Sequence, residues 1–241
     1  MKKLLKKTFE FWGYELKPKE INCYSIQKEL IKKQKPIIFD VGAHTGHTAL
    51  MYRKLFLSGL IYCFEPYTKS FEELQKKVAG DKNIFSYNIG ISNKKEKAWF
   101  NMNKLAATNS LLATDKKGIQ VWGENLLETS SKEKINTTTL DLFSKENKIT
   151  LIDILKLDIQ GAEFKVLSGA KQLLMNQSID LIYTEIIIAE TYKEQNKFHE
   201  YLKFLDSFGY KLLDFYNPVR KNTRLLQIDA IFLSKKIFSS V

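Results

Sequence analysis

Ile37-Ile38-Phe39-Asp40-Val41-Gly42-Ala43-His44-Thr45-Gly46 is the stretch from which the fold can be read. Residues 37–41 form a short, nearly continuous apolar run, the pattern of a strand buried on both faces. The Gly/Thr turn behind it hands the chain to a helical stretch through Leu50, Met51, Leu55 and Phe56. Glycines at such a turn let the backbone bend tightly and approach a ligand, which the helix N-terminus then faces. Leu60-Ile61-Tyr62-Cys63-Phe64 repeats the buried-strand pattern and closes on Glu65-Pro66. In doubly wound sheets an acidic residue at the end of the second strand accepts hydrogen bonds from ribose hydroxyls. The loop and Glu65 together indicate a ribose-containing cofactor.

The same rhythm continues outward. Phe71, Leu74 and Val78 mark a helix opened by a Ser70…Glu73 capping-box pattern, and Ile84–Ile91 reads as a third strand. Ile152–Asp158 and Leu181–Ile188 are further strands, with Val166, Leu167, Ala170, Leu173 and Leu174 on a helix between them. A later helix carries Phe198, Tyr201, Leu202, Leu205 and Phe208 and ends near Gly209. Lys211–Phe215 and Leu226–Leu233 are joined too tightly for a crossover helix, so they pair antiparallel. The expectation is one α/β domain over residues 36–241: a doubly wound, Rossmann-like, mostly parallel sheet ending in an antiparallel hairpin. Residues 1–35 read as a basic helical extension. Asn101–Lys134 is polar, Gly-interrupted and aperiodic, which predicts a long loop or lid.

Composition narrows the function classes. The 241 residues are 44% hydrophobic and 27% charged, enough for a core without disulfide or metal staples. The longest uncharged apolar stretch, Leu55–Phe64, is about half of the roughly 20 residues that a spanning helix needs. Cys23 and Cys63 supply neither a disulfide framework nor metal-ligand spacing. Glu10 and Gly13 interrupt the apolar run a signal peptide would need, so the chain reads as cytoplasmic. The net charge of +11 suggests an anionic partner. Yet Arg53, Arg220 and Arg224 are the three arginines among 38 basic residues, and the lysines are spread evenly. Bidentate recognition of phosphate or bases favours arginine, so charge argues weakly for nucleic acid. Leu4, Leu5, Phe9 and Trp12 can share a helical face, which packs on the domain or, through residues 1–16, touches a membrane surface.

The loop itself separates the ribose cofactors. A dinucleotide site wants Gly-x-Gly-x-x-Gly, whereas Gly42-x-x-x-Gly46 lacks the central glycine that admits a pyrophosphate. Asp40 would repel a pyrophosphate and attract an amino group. S-adenosylmethionine, with its ammonium and sulfonium, suits such a loop.

With that cofactor in view, the chain resembles the FkbM-type S-adenosylmethionine-dependent methyltransferases. The resemblance rests on Phe39–Gly46, Phe64-Glu65-Pro66 and, most specifically, Leu155-Lys156-Leu157-Asp158-Ile159-Gln160-Gly161-Ala162-Glu163 with Val166–Ala170 behind it. Asn109-Ser110-Leu111, Thr139-Leu140-Asp141 and Tyr183-Thr184-Glu185-Ile186 extend it over about residues 36–233. Gln160 stands where the family usually has an acidic residue, and His44 and His47 are atypical of its first loop. The resemblance implies the seven-stranded class I methyltransferase sheet and methyl transfer to a hydroxyl, often on a sugar or another small metabolite.

Candidate cofactor-binding residues are Asp40, Gly42, Ala43, His44, Thr45, Gly46, Glu65, Pro66, Asn88 and Asp158. Asp158 closes its strand at the ligand edge, where it can orient the acceptor, take its proton, bind a metal or cap the next helix. Glu163 suits the first turn of that helix, and Glu185 interrupts an apolar strand and needs a partner. Asp158, Glu185 and His47 are the catalytic candidates, with His44 a second candidate base. Asp158, Glu163 and Glu185 have the hard oxygen ligands a divalent ion takes, though no spacing compels one. Arg220, Lys221 and Arg224 are candidate anchors for an anionic acceptor such as a nucleotide sugar. An RNA methyltransferase and a noncatalytic membrane-surface module are the competing readings, and oligomeric state is left open.

Overall fold

The computed structural model describes residues 22–240. Helix α1 (Cys23–Leu30) leads into β1 (Ile37–Val41), α2 (His47–Leu55), β2 (Leu60–Phe64), α3 (Thr68–Val78) and β3 (Ile84–Tyr87). A second, smaller sheet follows from β4 (Gly90–Ile91), β5 (Glu96–Asn103) and β6 (Thr129–Thr138). Helices α4 (Lys116–Trp122) and α5 (Glu124–Leu127) lie between its last two strands. The chain then returns through α6 (Leu140–Glu146), β7 (Ile152–Leu157), α7 (Glu163–Ser168), α8 (Lys171–Met175) and β8 (Ile179–Ile187). It closes with α9 (Phe198–Ser207), β9 (Lys211–Lys221), β10 (Arg224–Leu233) and α10 (Lys235–Phe238).

The main sheet has seven strands in the order β3-β2-β1-β7-β8-β10-β9. The first five are parallel, and β10 runs antiparallel to both β8 and β9. This is the expected doubly wound sheet with its terminal hairpin. Alternation along the strands divides the core. Phe39, Val41, Leu155 and Leu157 pack with Phe143, Val166, Tyr201 and Leu205, on the face of α6, α7 and α9. Ile38, Ile61, Ile154 and Leu181 pack with Cys23, Ala49, Tyr52 and Leu74, on the face of α1, α2 and α3. Each fully buried aliphatic or aromatic side chain contributes roughly 1.5–3 kcal/mol. Strand order reverses between β1 and β7, and a crevice opens at the carboxyl ends of such strands.

Several expected boundaries shift. The predicted strand Ile84–Ile91 is two strands in different sheets, parted at Asn88-Ile89. Helix α3 starts at Thr68 with Tyr67 before it, so Ser70 is buried inside the helix and caps nothing. Gly169-Ala170 divides the predicted helix through Leu174 into α7 and α8. The largest correction concerns Asn101–Lys134, which is no open loop. Its ends belong to β5 and β6, paired from Glu96↔Thr137 to Asn103↔Thr129. β6 is almost entirely Thr, Ser, Lys, Glu and Asn, with Ile135 its one apolar side chain, so pairing alone makes it a strand.

Candidate active site

A cleft of about 260 Å³ lies at the switch point. Its floor comes from the ends of β1, β2, β7 and β8, through Gly42, Glu65, Asp158 and Glu185. The small sheet roofs it with Ile91, Phe100 and Ile135, and the segment after β5 adds Asn109 and Leu111.

On the β1–β2 side the turn is pinned by its neighbour strand. The N–H groups of Gly42 and Ala43 donate to the Phe64 carbonyl at 3.0 and 3.1 Å. Gly42 has φ +81°, and a Cβ there would collide with the Asp158 carbonyl oxygen, so β7 approaches too closely for any side chain. Glu65 accepts the His44 N–H on Oε2 and the Tyr67 N–H on Oε1, both at 2.9 Å. Each oxygen keeps acceptor capacity toward the cleft. Burial pushes the Glu65 carboxyl up to about 7, against the lowering effect of those two hydrogen bonds. His44 also lines the cleft, with φ +46°. Its Nε2 is buried and has no partner among the described residues, and desolvation lowers the ring's pKa. Asn88 donates to the carbonyls of Glu65 and Pro66 at 2.9 and 3.0 Å and so braces the turn from outside.

On the β7–β8 side two carboxylates share one amide. Gln160 Nε2 donates to Glu185 Oε2 at 2.9 Å and lies 3.3 Å from Asp158 Oδ1. Gln160 sits at φ +58°, beside the Tyr192 hydroxyl, which is 3.1 Å from its Oε1. Gln227 donates to the other Glu185 oxygen at 2.5 Å. Burial, then the charges of Asp158, Glu163 and Asp229, push Glu185 well above the usual carboxylate range. Asp158 differs, since 44% of its side chain is open and Lys156 Nζ lies 3.6 Å from Oδ2.

Of the candidate residues, the cleft gathers Gly42, His44, Glu65, Pro66, Asp158 and Glu185. Asp40 is corrected. Strand alternation turns it to the face of Ile38, fully buried, where Lys156 Nζ lies 3.1 Å from Oδ1. Burial raises the Asp40 pKa, while for Lys156 the attraction of Asp40 and Asp158 outweighs desolvation. Lys156 also donates to the Gly42 carbonyl at 3.2 Å, so the pair acts on the loop from beneath. His47 also lies outside the lining: it is exposed on α2 and lies 3.0 Å from Lys77 Nζ, which also donates to Thr45 Oγ1. Ala43 and Gly46 are buried beneath the turn.

Glu163 is claimed by its own loop. Its Oε1 accepts the N–H groups of Ile159 and Gly161 at 2.9 and 3.2 Å, which takes it out of any metal trio with Asp158 and Glu185. Among the described residues no group of three or more His, Cys, Asp or Glu is arranged to hold a metal. Arg220, Lys221 and Arg224 sit on the β9–β10 hairpin away from the cleft lining, where Lys221 Nζ donates to the Val121 carbonyl. Residues 1–16 lie outside the described residues, and among those described no helix is long and apolar enough to cross a membrane. Sequence reasoning missed Lys156, although a lysine in an otherwise apolar buried strand signals a paired charge. Ile91, Phe100 and Ile135 of the roof carry no signal in the sequence and come together only by folding, whereas Asn109 and Leu111 fall in the segment expected as a lid.

The sequence model of the methyltransferase FkbM domain matches residues 40–212. The chain belongs to the FkbM methyltransferase family. This FkbM protein is 25% identical over 185 residues to the 2-O-methyltransferase NoeI of Sinorhizobium fredii, a match covering 74% of each chain. Among solved structures, an rRNA methylase from Streptococcus thermophilus aligns with TM-score 0.50 and 11% identity, covering 88% of this chain and 93% of that one. That likeness concerns the fold, which is the class I methyltransferase fold.

The chain is an S-adenosylmethionine-dependent methyltransferase, and its cleft suits the cofactor. Glu65 keeps free acceptor capacity toward the cleft, and His44 Nε2 is a polar atom without a partner among the described residues. Pro66, Ile91, Phe100 and Ile135 give the cleft an apolar wall.

Proposed function

We propose that this chain is an O-methyltransferase acting on a hydroxyl of a sugar, a glycan or another small metabolite. The single observation that carries the reading is the half-open Asp158 carboxylate at the cleft floor, ion-paired to Lys156 and steadied by Gln160. The 2-O-methyltransferase relative supports a hydroxyl acceptor.

Bound S-adenosylmethionine supplies a methyl group on a sulfonium that leaves as a neutral thioether. Asp158 accepts the acceptor's hydroxyl proton as the new oxygen–methyl bond forms, and it is oriented for this by Gln160 and Lys156. Glu185, buried and held toward its neutral form, keeps a second negative charge away from Asp158. Lys156 and the Glu65 clamp hold the loop in one geometry, and the small sheet keeps water from the reacting atoms.

Isothermal titration with S-adenosylhomocysteine, followed by transfer of tritiated methyl to pyranosides, nucleotide sugars and RNA, tests the reading. Micromolar binding with label in a glycoside, abolished by Asp158→Asn, is expected. Label in RNA alone would replace it with the nucleic-acid reading.

A further inference from the structure

Asn109 belongs to the roof, not to any motif that holds the cofactor, and its side chain is only 8% exposed. Its Oδ1 accepts the Asn103 backbone N–H at 2.8 Å. That bond fixes the amide's orientation, because a backbone N–H can only donate. The Nδ2 group is therefore a donor, and it is buried without a partner among the described residues in a side chain that lines the cleft. A buried amide donor left unmade costs about 1–3 kcal/mol, so a group of this kind at a cleft wall is waiting for an acceptor atom.

Its neighbours say which end of the cleft it serves. Ser110 Oγ donates to the Gln160 carbonyl at 2.7 Å, and the Thr108 carbonyl lies 3.1 Å from the Tyr192 hydroxyl. Both ties run to the β7–β8 side, where Gln160 holds Asp158 and Glu185. Glu65 follows β2, which β1 separates from β7. An N–H donor in the roof at the end where Asp158 takes a proton matches two oxygens on adjacent carbons: one hydroxyl gives its proton to Asp158, its neighbour accepts from Asn109. A simple alcohol offers the first and leaves the second unanswered.

We infer that Asn109 Nδ2 is a specificity-determining donor to the oxygen vicinal to the methylated hydroxyl, which makes the acceptor a polyhydroxylated ring. The inference rests on the O-methyltransferase reading and deepens it. The test compares a pyranoside accepted by the wild-type enzyme with deoxy analogues that each lack one hydroxyl next to the methylation site. The wild type is expected to lose about tenfold or more in kcat/KM, mainly through KM, on one such analogue. In the near-isosteric Asn109→Leu and in Asn109→Ala that discrimination collapses to about threefold or less, while S-adenosylhomocysteine affinity stays within about threefold of wild type. Unchanged cofactor affinity also shows that both variants are folded. Discrimination that survives in both variants overturns the inference, and so does a cofactor affinity weakened about tenfold, which would give the amide to the cofactor. Transfer to no pyranoside by an enzyme that binds S-adenosylhomocysteine overturns it as well. Failure to bind S-adenosylhomocysteine, by contrast, would strike the cofactor assignment itself.

Discussion

Glu65 and Asn109 face one cleft from two walls with different origins. Glu65 ends β2 and clamps the turn after β1 through the His44 N–H, so its surroundings come from two adjacent parallel strands. Asn109 is held by Asn103 and stands between Ser110 and Thr108, whose partners Gln160 and Tyr192 lie 50 and 84 positions away along the chain. The first wall is rigid because its strands are buried on both faces. The second is a three-stranded sheet with one almost wholly polar strand, β6, and a small apolar cluster of Phe100, Met102 and Ile135. Damage to the first wall should therefore be felt by the whole domain and by the cofactor, and damage to the second by the acceptor and the local roof.

The strongest way to break this contrast is at Lys156. Lys156→Met leaves Asp40 buried without its cation, with an expected cost of about 3–5 kcal/mol. In thermal unfolding this appears as a fall of about 10 °C. The double variant with Asp40→Asn should recover most of it, and no recovery would mean that the pair is not the unit described. Gly42→Ala comes next. The forced positive φ and the collision with the Asp158 carbonyl should weaken S-adenosylhomocysteine binding about a hundredfold in calorimetry, with about 2–3 kcal/mol lost in stability.

Glu65→Gln sharpens the cofactor side of the comparison. In the wild type the carboxyl titrates near 7, raised by burial. Ribose hydroxyls donate best to the ionised form, so affinity should be flat above pH ~8 and fall up to about tenfold per unit between pH 7 and 5. The variant should bind about tenfold more weakly at pH 8 and show no such slope. The same raised value means that the folded apo protein holds the extra proton, so this group's stabilising contribution declines as pH rises from about 4.5 to 7.

Ser110→Ala has the smallest expected effect. It removes the bond that ties the roof to Gln160, costing about 1 kcal/mol. Deuterium exchange should quicken over residues 100–112 and 129–138 and stay unchanged in β1, β2 and β7. Uniform quickening across the main sheet would erase the distinction between the walls.

From the amino-acid sequence alone, the doubly wound sheet, the turn at Gly42–Gly46 and the places of Glu65 and Asp158 at strand ends beside the cleft were legible. Each is encoded locally, by apolar runs of strand length, by glycines where φ is positive, and by acidic residues at strand ends. Tertiary structure decided the rest. Whether Asp40 faces the ligand or the core depends on which side of the sheet β1's pleat presents, and the answer came with Lys156 from β7 as its neighbour. Whether Thr129–Thr138 is a loop or a strand depends on a partner about thirty residues earlier, because its own side chains bury too little to choose. Asn109 belongs to a stretch that shares in the family resemblance, but nothing in the sequence says what its amide does. Only the fold takes the water from its Nδ2 and offers nothing in return, since desolvation is a property of the enclosure and not of the residue.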